Sequence, residues 1–372
     1  MLKQLMMCLI GCMASLHGVE IEEWGPVGPA PSYEIVDLGA AGEASDLLSK
    51  YALPYSLAPT INNNRQISFN RDGEGIVRDL ASGEWAPHVG QLPGKCYAIN
   101  NHGDVLVSVE RPRDSSDWLI WQQKLLRDKR QIRINTHELA GPRVYLRALN
   151  DKKMAVGSLN PEGALRPAVW TPEKGFQNLG SYLGWDVVGV LWGVNQNGTV
   201  VGRLQNDEDN PPFTWSAKDG LNILRDYTHA VEVKMHLDGL KGKIHFEDAV
   251  IAPDNSVYGT FWVDAPDVNI PGKIYFAYHW EPVPKNFRLM NVKGMRFNAI
   301  NDSHLLVGSL EGQAAYREKG GSPQVLKNNI PNLSADWELV EATDVNDRGD
   351  IVGYGNYQGA IHLFLLLNTK KF

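Results

Sequence analysis

The stretch AINDSHLLVG, residues 299–308, decides the fold, because its pattern returns six more times along the chain. A small residue and an aliphatic one lead to Asn, a polar turn follows, and a short apolar run ends at Gly. The other copies read TINNNRQISF (60–69), AINNHGDVLV (98–107), ALNDKKMAVG (148–157), GVNQNGTVVG (193–202), VIAPDNSVYG (250–259) and DVNDRGDIVG (344–353). The anchor falls at Asn62, Asn100, Asn150, Asn195, Ala252, Asn301 and Asn346, so the fifth copy lacks Asn. Successive anchors stand 38, 50, 45, 57, 49 and 45 residues apart. That is the length of a four-stranded propeller blade and too long for most helical or leucine-rich repeats. The spacing predicts an all-β, seven-bladed β-propeller of four-stranded blades.

The third copy shows how one repeat makes one blade. RALN (147–150) is a short strand, DKK a turn, MAVGSL (154–159) a second strand, and NPEGALR a loop. PAVW, ending at Trp170, is a third strand, and FQNLG (176–180) is a fourth after the turn TPEKG. Third-strand aromatics recur at Trp121, Trp215, Trp280, Tyr316 and Phe364, while IVRD (76–79) in the first copy has none. These aromatics supply apolar area between neighbouring sheets. Two positions before the anchor the residue is mostly small (Thr60, Ala98, Ala148, Gly193, Val250, Ala299), as crowding around an axis demands, and Asp344 is the odd member. Asn at the anchor suits a hairpin, since its side chain bonds to nearby backbone. The trailing Gly157, Gly202, Gly259, Gly308 and Gly353 mark a bulge or a close backbone approach.

Closure is legible at the two ends. YEIVDLG (33–39) resembles a fourth strand but precedes the first motif, and AIHLFLLLN (360–368) ends the seventh copy with no fourth strand after it. The N-terminal strand is therefore expected to complete the last blade and remove two open edges.

Copies such as AINDSHLLVGSL and GVNQNGTVVGRL, with an aromatic strand and an NLG-like segment between them, resemble the HAF repeat of extracellular bacterial proteins over residues 33–367. The tripeptide behind that name survives in altered form, as Ala277-Tyr278-His279-Trp280 and Ile361-His362-Leu363-Phe364. The resemblance implies an exported repeat protein and carries no catalytic residue over to this chain.

The remaining organisation follows from composition. One Lys and a short apolar stretch open the chain (MLKQLMMCLIGCMASLHG), reading as a signal peptide over residues 1–18 and too short to span a bilayer. Leu9-Ile10-Gly11-Cys12 matches a lipobox, which would make Cys12 a lipidation site, the alternative being an ordinary cut near Ala14 or Gly18. Residues 19–32, rich in Pro, Gly and Glu, read as a linker, and residues 33–368 as the propeller. Beyond the leader only Cys96 remains, so no internal disulfide is expected. The net charge of -7 and the absence of a Lys/Arg tract speak against nucleic acid as a partner. Membrane contact is expected only through an N-terminal lipid, and the protein is placed outside the cell, in the periplasm or on the envelope.

Candidate chemistry gathers at the loops around one end of the channel, the usual functional face of such a scaffold. Asp344, Glu341, Asp248 and Glu247 approach that rim and are the candidate catalytic carboxylates of a glycan hydrolase or lyase. Asp207 and Asp209, within NDEDN (206–210), offer calcium-type oxygens but lack the Gly and terminal Glu of an EF-hand loop, and no cofactor is expected. Three positions before the anchor stand Pro59, Tyr97, Arg147, Trp192, Ala249, Asn298 and Thr343. Tyr97, Arg147, Trp192 and Asn298, with Trp185 on a neighbouring loop, form the expected binding set for a protein or glycan ligand. The leading expectation is thus a non-catalytic binding or surface module. The alternatives are a propeller hydrolase or lyase and a structural envelope protein in which these side chains plug the channel.

Overall fold

The computed structural model describes residues 19–22, 24–25, 30–41, 58–72, 74–80, 85–86, 94–111, 115–122, 130–134, 143–160, 164–180, 188–205, 210–224, 244–263, 274–283 and 285–370. Seven antiparallel sheets follow one another along the chain, each running outward from an innermost strand. The innermost strands are Thr60–Ile61, Lys95–Ile99, Arg143–Leu149, Gly189–Val194, Ile244–Ile251, Met295–Ile300 and Trp337–Val345. Each touches the innermost strand of the next sheet, and the seventh touches the first. The ring closes as a seven-bladed β-propeller.

Closure uses the N-terminal strand, as the ends of the sequence predict. Tyr33–Ala40 pairs antiparallel with Ala360–Asn368 and becomes the outer strand of blade seven. Tyr33 and Leu38 are buried there, so the strand contributes apolar surface as well as main-chain hydrogen bonds. The expectation of a linker over residues 19–32 needs correction. Val19–Glu22 pairs in parallel with Phe287–Met290 and adds a fifth strand to blade five. Between the two strands, Gly25 N–H donates to Gly320 O at 3.0 Å and the Pro31 carbonyl accepts from Asn329 Nδ2 at 3.0 Å. Gly25 and Pro31 are thus each held to blade six.

The anchor Asn does two jobs at once. Asn100 Oδ1 accepts from the N–H groups of His102 and Asp104, at 3.0 and 2.9 Å, which shapes the turn. Its Nδ2 donates to the Asn150 carbonyl in the next blade at 3.1 Å. The same link joins Asn62 to Asn100, Asn150 to Asn195, Asn195 to Ala252, Asn301 to Asn346, and Asn346 to Asn62. Only an amide carries acceptor and donor at the distances this requires. Ala252 has neither, so the link from blade five to blade six is missing. Asp254 Oδ1 supports that turn instead, accepting from Ser256 N–H at 2.9 Å.

The apolar core lies between blades. Separate buried clusters fill the junctions, for example Val77 with Cys96 and Val107 between blades one and two, and Met154 and Val169 with Val200 and Phe213 between blades three and four. Trp170, Trp215 and Trp280 each face the preceding blade. Tyr316, also between neighbouring sheets, faces blade seven instead.

Candidate functional site

The innermost strands do more than line the axis, because six of them are bulged, five at the position three before the anchor and blade five just ahead of it. In blade two, Cys96 pairs with Val107 and Ala98 with Leu106, which leaves Tyr97 out of the ladder. The same irregularity excludes Arg147, Trp192, Asn298 and Thr343 in blades three, four, six and seven, and both Glu247 and Asp248 in blade five. A bulge re-aims the side chain at its centre. The trailing Gly gives the bulged strand room in blades three and six. A Cβ on Gly157 would run into the Tyr145 carbonyl, and one on Gly308 into the Arg296 carbonyl. In blades three and six the bulged strand therefore folds down onto a residue with no side chain, whereas in blade two the bulge lies opposite Val107.

The side chains so presented surround an axial cavity of about 340 Å³. Tyr97, Arg147, Trp192 and Asn298 line it, from four different blades, together with Thr343, Asp248, Glu341 and Asp344. Glu247 shares the bulge of Asp248 but is not part of the lining. Trp185, Asp207, Asp209 and Cys12 lie outside the described residues. Arg296 and Tyr354, not anticipated from the sequence, also line the cavity. The one available signal for Arg296 was its place two residues before Asn298, which puts both on the same face of MRFNAI.

Charge is arranged unevenly around the opening. Asp248 lies 3.9 Å from Arg147 Nη2 and 3.6 Å from Arg296 Nη2. Burial raises its carboxyl to about 6, against the pull of Arg296 and with a further push from Glu341. Burial and the neighbouring Arg203 lower the Arg147 guanidinium to about 10. Arg203 in turn has its Cζ 5.9 Å from the Trp192 ring centroid and donates from Nη1 to the Phe246 carbonyl at 2.8 Å. The Trp192 indole is thereby steadied from one side. Tyr97 is held by Trp118, whose ring centroid is 4.7 Å away at 54°.

The other two carboxylates are engaged within the fold. Glu341 accepts from Asn298 Nδ2 at 2.8 Å and from Tyr354 Oη at 2.5 Å. Asp344 accepts from the N–H groups of Ile61 and Val345, each at 2.8 Å, and joins blade seven to blade one. Burial raises Asp344 to about 7 although both hydrogen bonds oppose the shift. Thr343 reinforces the same junction by donating to the Pro59 carbonyl at 2.7 Å. Among the described residues no group of three His, Cys, Asp or Glu is placed to hold a metal ion.

No family model matches this chain, and neither does any curated protein. Solved structures do resemble it. The N-terminal domain of Nup159 is 11% identical, with 94% of this chain and 100% of that chain covered and a TM-score of 0.48. The extracellular domain of the putative one component system BT4673 from B. thetaiotaomicron is 7% identical, with 89% of this chain and 39% of that chain covered and a TM-score of 0.44. TolB from Acinetobacter baumannii is 12% identical, with 62% and 55% covered and a TM-score of 0.38.

Proposed function

We propose that the protein is an exported binding module whose ligand, a protein or glycan segment, enters the axial cavity at the bulged end. One observation carries this reading. The bulge three positions before the anchor brings Tyr97, Arg147, Trp192 and Asn298, and the wider bulge of blade five brings Asp248, to one opening that their side chains leave unfilled. Two aromatic faces, guanidinium groups, a carboxylate and an amide give apolar area with directional polar contacts, the usual make-up of a recognition pocket. A plug would instead pack aromatics to native density. Export rests on the leader-like first 18 residues and on the HAF-repeat resemblance. Among the described residues no helix is long and apolar enough to cross a membrane.

A second reading, glycan hydrolysis or lysis in the same cavity, draws on Asp248 and Asp344, whose carboxyls are raised toward neutrality. It is the weaker of the two because Asp344 and Glu341 already hold several protein donors each. Panels of glycans and of extracellular proteins, screened against the wild type and Trp192→Ala, test the binding reading. The expected result is a retained ligand whose affinity falls by about 1–3 kcal/mol in Trp192→Ala with little change in melting temperature. Equal retention by a folded Trp192→Ala would refute it, and turnover of a retained glycan would favour the second reading.

A further inference from the structure

One third-strand position varies among the blades: the residue opposite the fifth position after the anchor is Arg78 in blade one and Leu366 in blade seven. In blades two to five the third-strand residue opposite the fifth position after the anchor is Trp: Trp121 faces Val105, Trp170 faces Ala155, Trp215 faces Val200 and Trp280 faces Val257. The same register position in blade six holds Arg317, opposite Leu306. Arg317 is 0% exposed. A guanidinium buried where four other blades hold an indole has lost its water and requires an anionic partner. The repeat offers it the Gly321 carbonyl, 2.9 Å from Nε, and the Tyr258 ring, 6.0 Å from Cζ. The carboxylate comes from outside the repeat: Glu22 Oε1 lies 2.5 Å from Arg317 Nη2.

Glu22 reaches this place on the short strand Val19–Glu22, which pairs in parallel along Phe287–Met290 at the outer edge of blade five. The resident segment fits incompletely. Glu22 Oε2, Trp24 Nε1 and both ring nitrogens of His279 are buried without a hydrogen-bond partner. His279 stacks on Tyr258, with ring centroids 4.1 Å apart, and its Nδ1 stands 3.9 Å from Glu22 Oε1. Four residue pairs in a parallel ladder are a short attachment, and parallel pairing is slightly weaker per residue than antiparallel. The groove is thus more specific than its occupant, with a fixed carboxylate reader beside a sheet edge and polar atoms left unmet.

We propose that the edge of blade five and Arg317 form a receptor site for an extended acidic peptide strand. Residues 19–22, with Trp24 and Gly25, are its resident, and a strand of the same chemistry from another polypeptide replaces them. The main chain of Asn286–Lys293 supplies the ladder, and Arg317 selects a carboxylate at one register position. The site lies apart from the axial cavity and does not depend on what the cavity binds.

The test titrates a fluorescent peptide of sequence VEIEEWG into the full chain and follows anisotropy. Glu22→Arg sets a second cation against Arg317 and expels the resident while changing no residue of the repeat. The Glu22→Arg chain should bind the peptide at least about tenfold more tightly than the wild type, whose site is filled. A peptide with Gln at its fourth position should bind at least about tenfold more weakly than the parent, since it loses a charge-assisted hydrogen bond. If Glu22→Arg does not fold, the Glu22→Gln chain is titrated with the same two peptides. A folded variant that binds no more peptide than the wild type overturns the exchangeable site. Equal binding of both peptides overturns Arg317 as its reader.

Discussion

Asn346 Nδ2 donates to the carbonyl of Asn62, 284 residues earlier, at 3.1 Å. This bond closes a chain of amide links that passes from blade to blade around the axis and skips only the step after Ala252. The last turn of the repeat is thereby tied to the first, independently of the closing strand at the rim.

The bond makes Asn346 a stability hot spot. Asn346→Ala removes the link to Asn62, the bond to Asp350 Oδ2, and the acceptor for the N–H groups of Arg348 and Asp350, all at a buried site. The expected loss is about 2–4 kcal/mol in urea denaturation, since buried groups are left unpaired. Asp347→Ala, at the exposed neighbouring position, should cost well under half of that. Equal losses would show that the amide ring contributes nothing particular.

The bulges predict which glycines tolerate a side chain. Gly308→Ala drives a Cβ into the Arg296 carbonyl and should cost about 1–3 kcal/mol, with flattening of the bulge at Asn298. At Gly193, on the innermost strand, the nearest atom to an added Cβ is Val201 Cγ1 at 3.7 Å, so Gly193→Ala should be nearly neutral. Thermal unfolding of the pair checks both, and a neutral Gly308→Ala would contradict the close approach.

Asp344 predicts the direction of a pH effect. Its carboxyl titrates at about 7 in the folded protein because burial disfavours the charge, against roughly 3.9 when unfolded. Between those values the folded state keeps a proton that the unfolded state has released, so this group's contribution to stability falls as pH rises from about 4 to about 7 and is constant above. Asp344→Asn cannot titrate. The difference in unfolding free energy between wild type and variant should therefore shift against the wild type by on the order of a few kcal/mol across that window. A difference that stays flat from pH 4 to 8 would place the Asp344 pKa at its ordinary value.

Closure by the N-terminal strand predicts a sharp boundary for truncation. A chain beginning at residue 30 keeps Tyr33–Ala40 paired with Ala360–Asn368 and should unfold cooperatively. A chain beginning at residue 42 exposes the edge of Ala360–Asn368 and uncovers Leu363 and Leu365, and should melt at a much lower temperature or aggregate. Similar melting of the two would refute the strand's role.

The sequence by itself determined the number of blades, their order and the closing strand. The reason is that each of these rests on interactions within about ten residues or on a repeated spacing. The anchor amide, the turn it shapes and the Gly beneath the bulge are all inside one motif, so each copy states the same local rule. Tyr97, Arg147, Trp192 and Asn298 could be assigned to one opening for the same reason: equal position in the repeat means equal height on the axis. The tertiary structure alone decided what these side chains meet. Arg296 flanks Asp248 from the next blade, Tyr354 donates to Glu341, and Asp344 accepts from Ile61 N–H. Tyr316 was expected in the aromatic slot, but strand register puts Arg317 there, one residue on, because a single-step difference reverses the face of a strand. The partner of Arg317 lies 295 residues away on a segment without periodicity. A contact across that separation depends on how blades five and six are stacked, and no pattern within either segment encodes it.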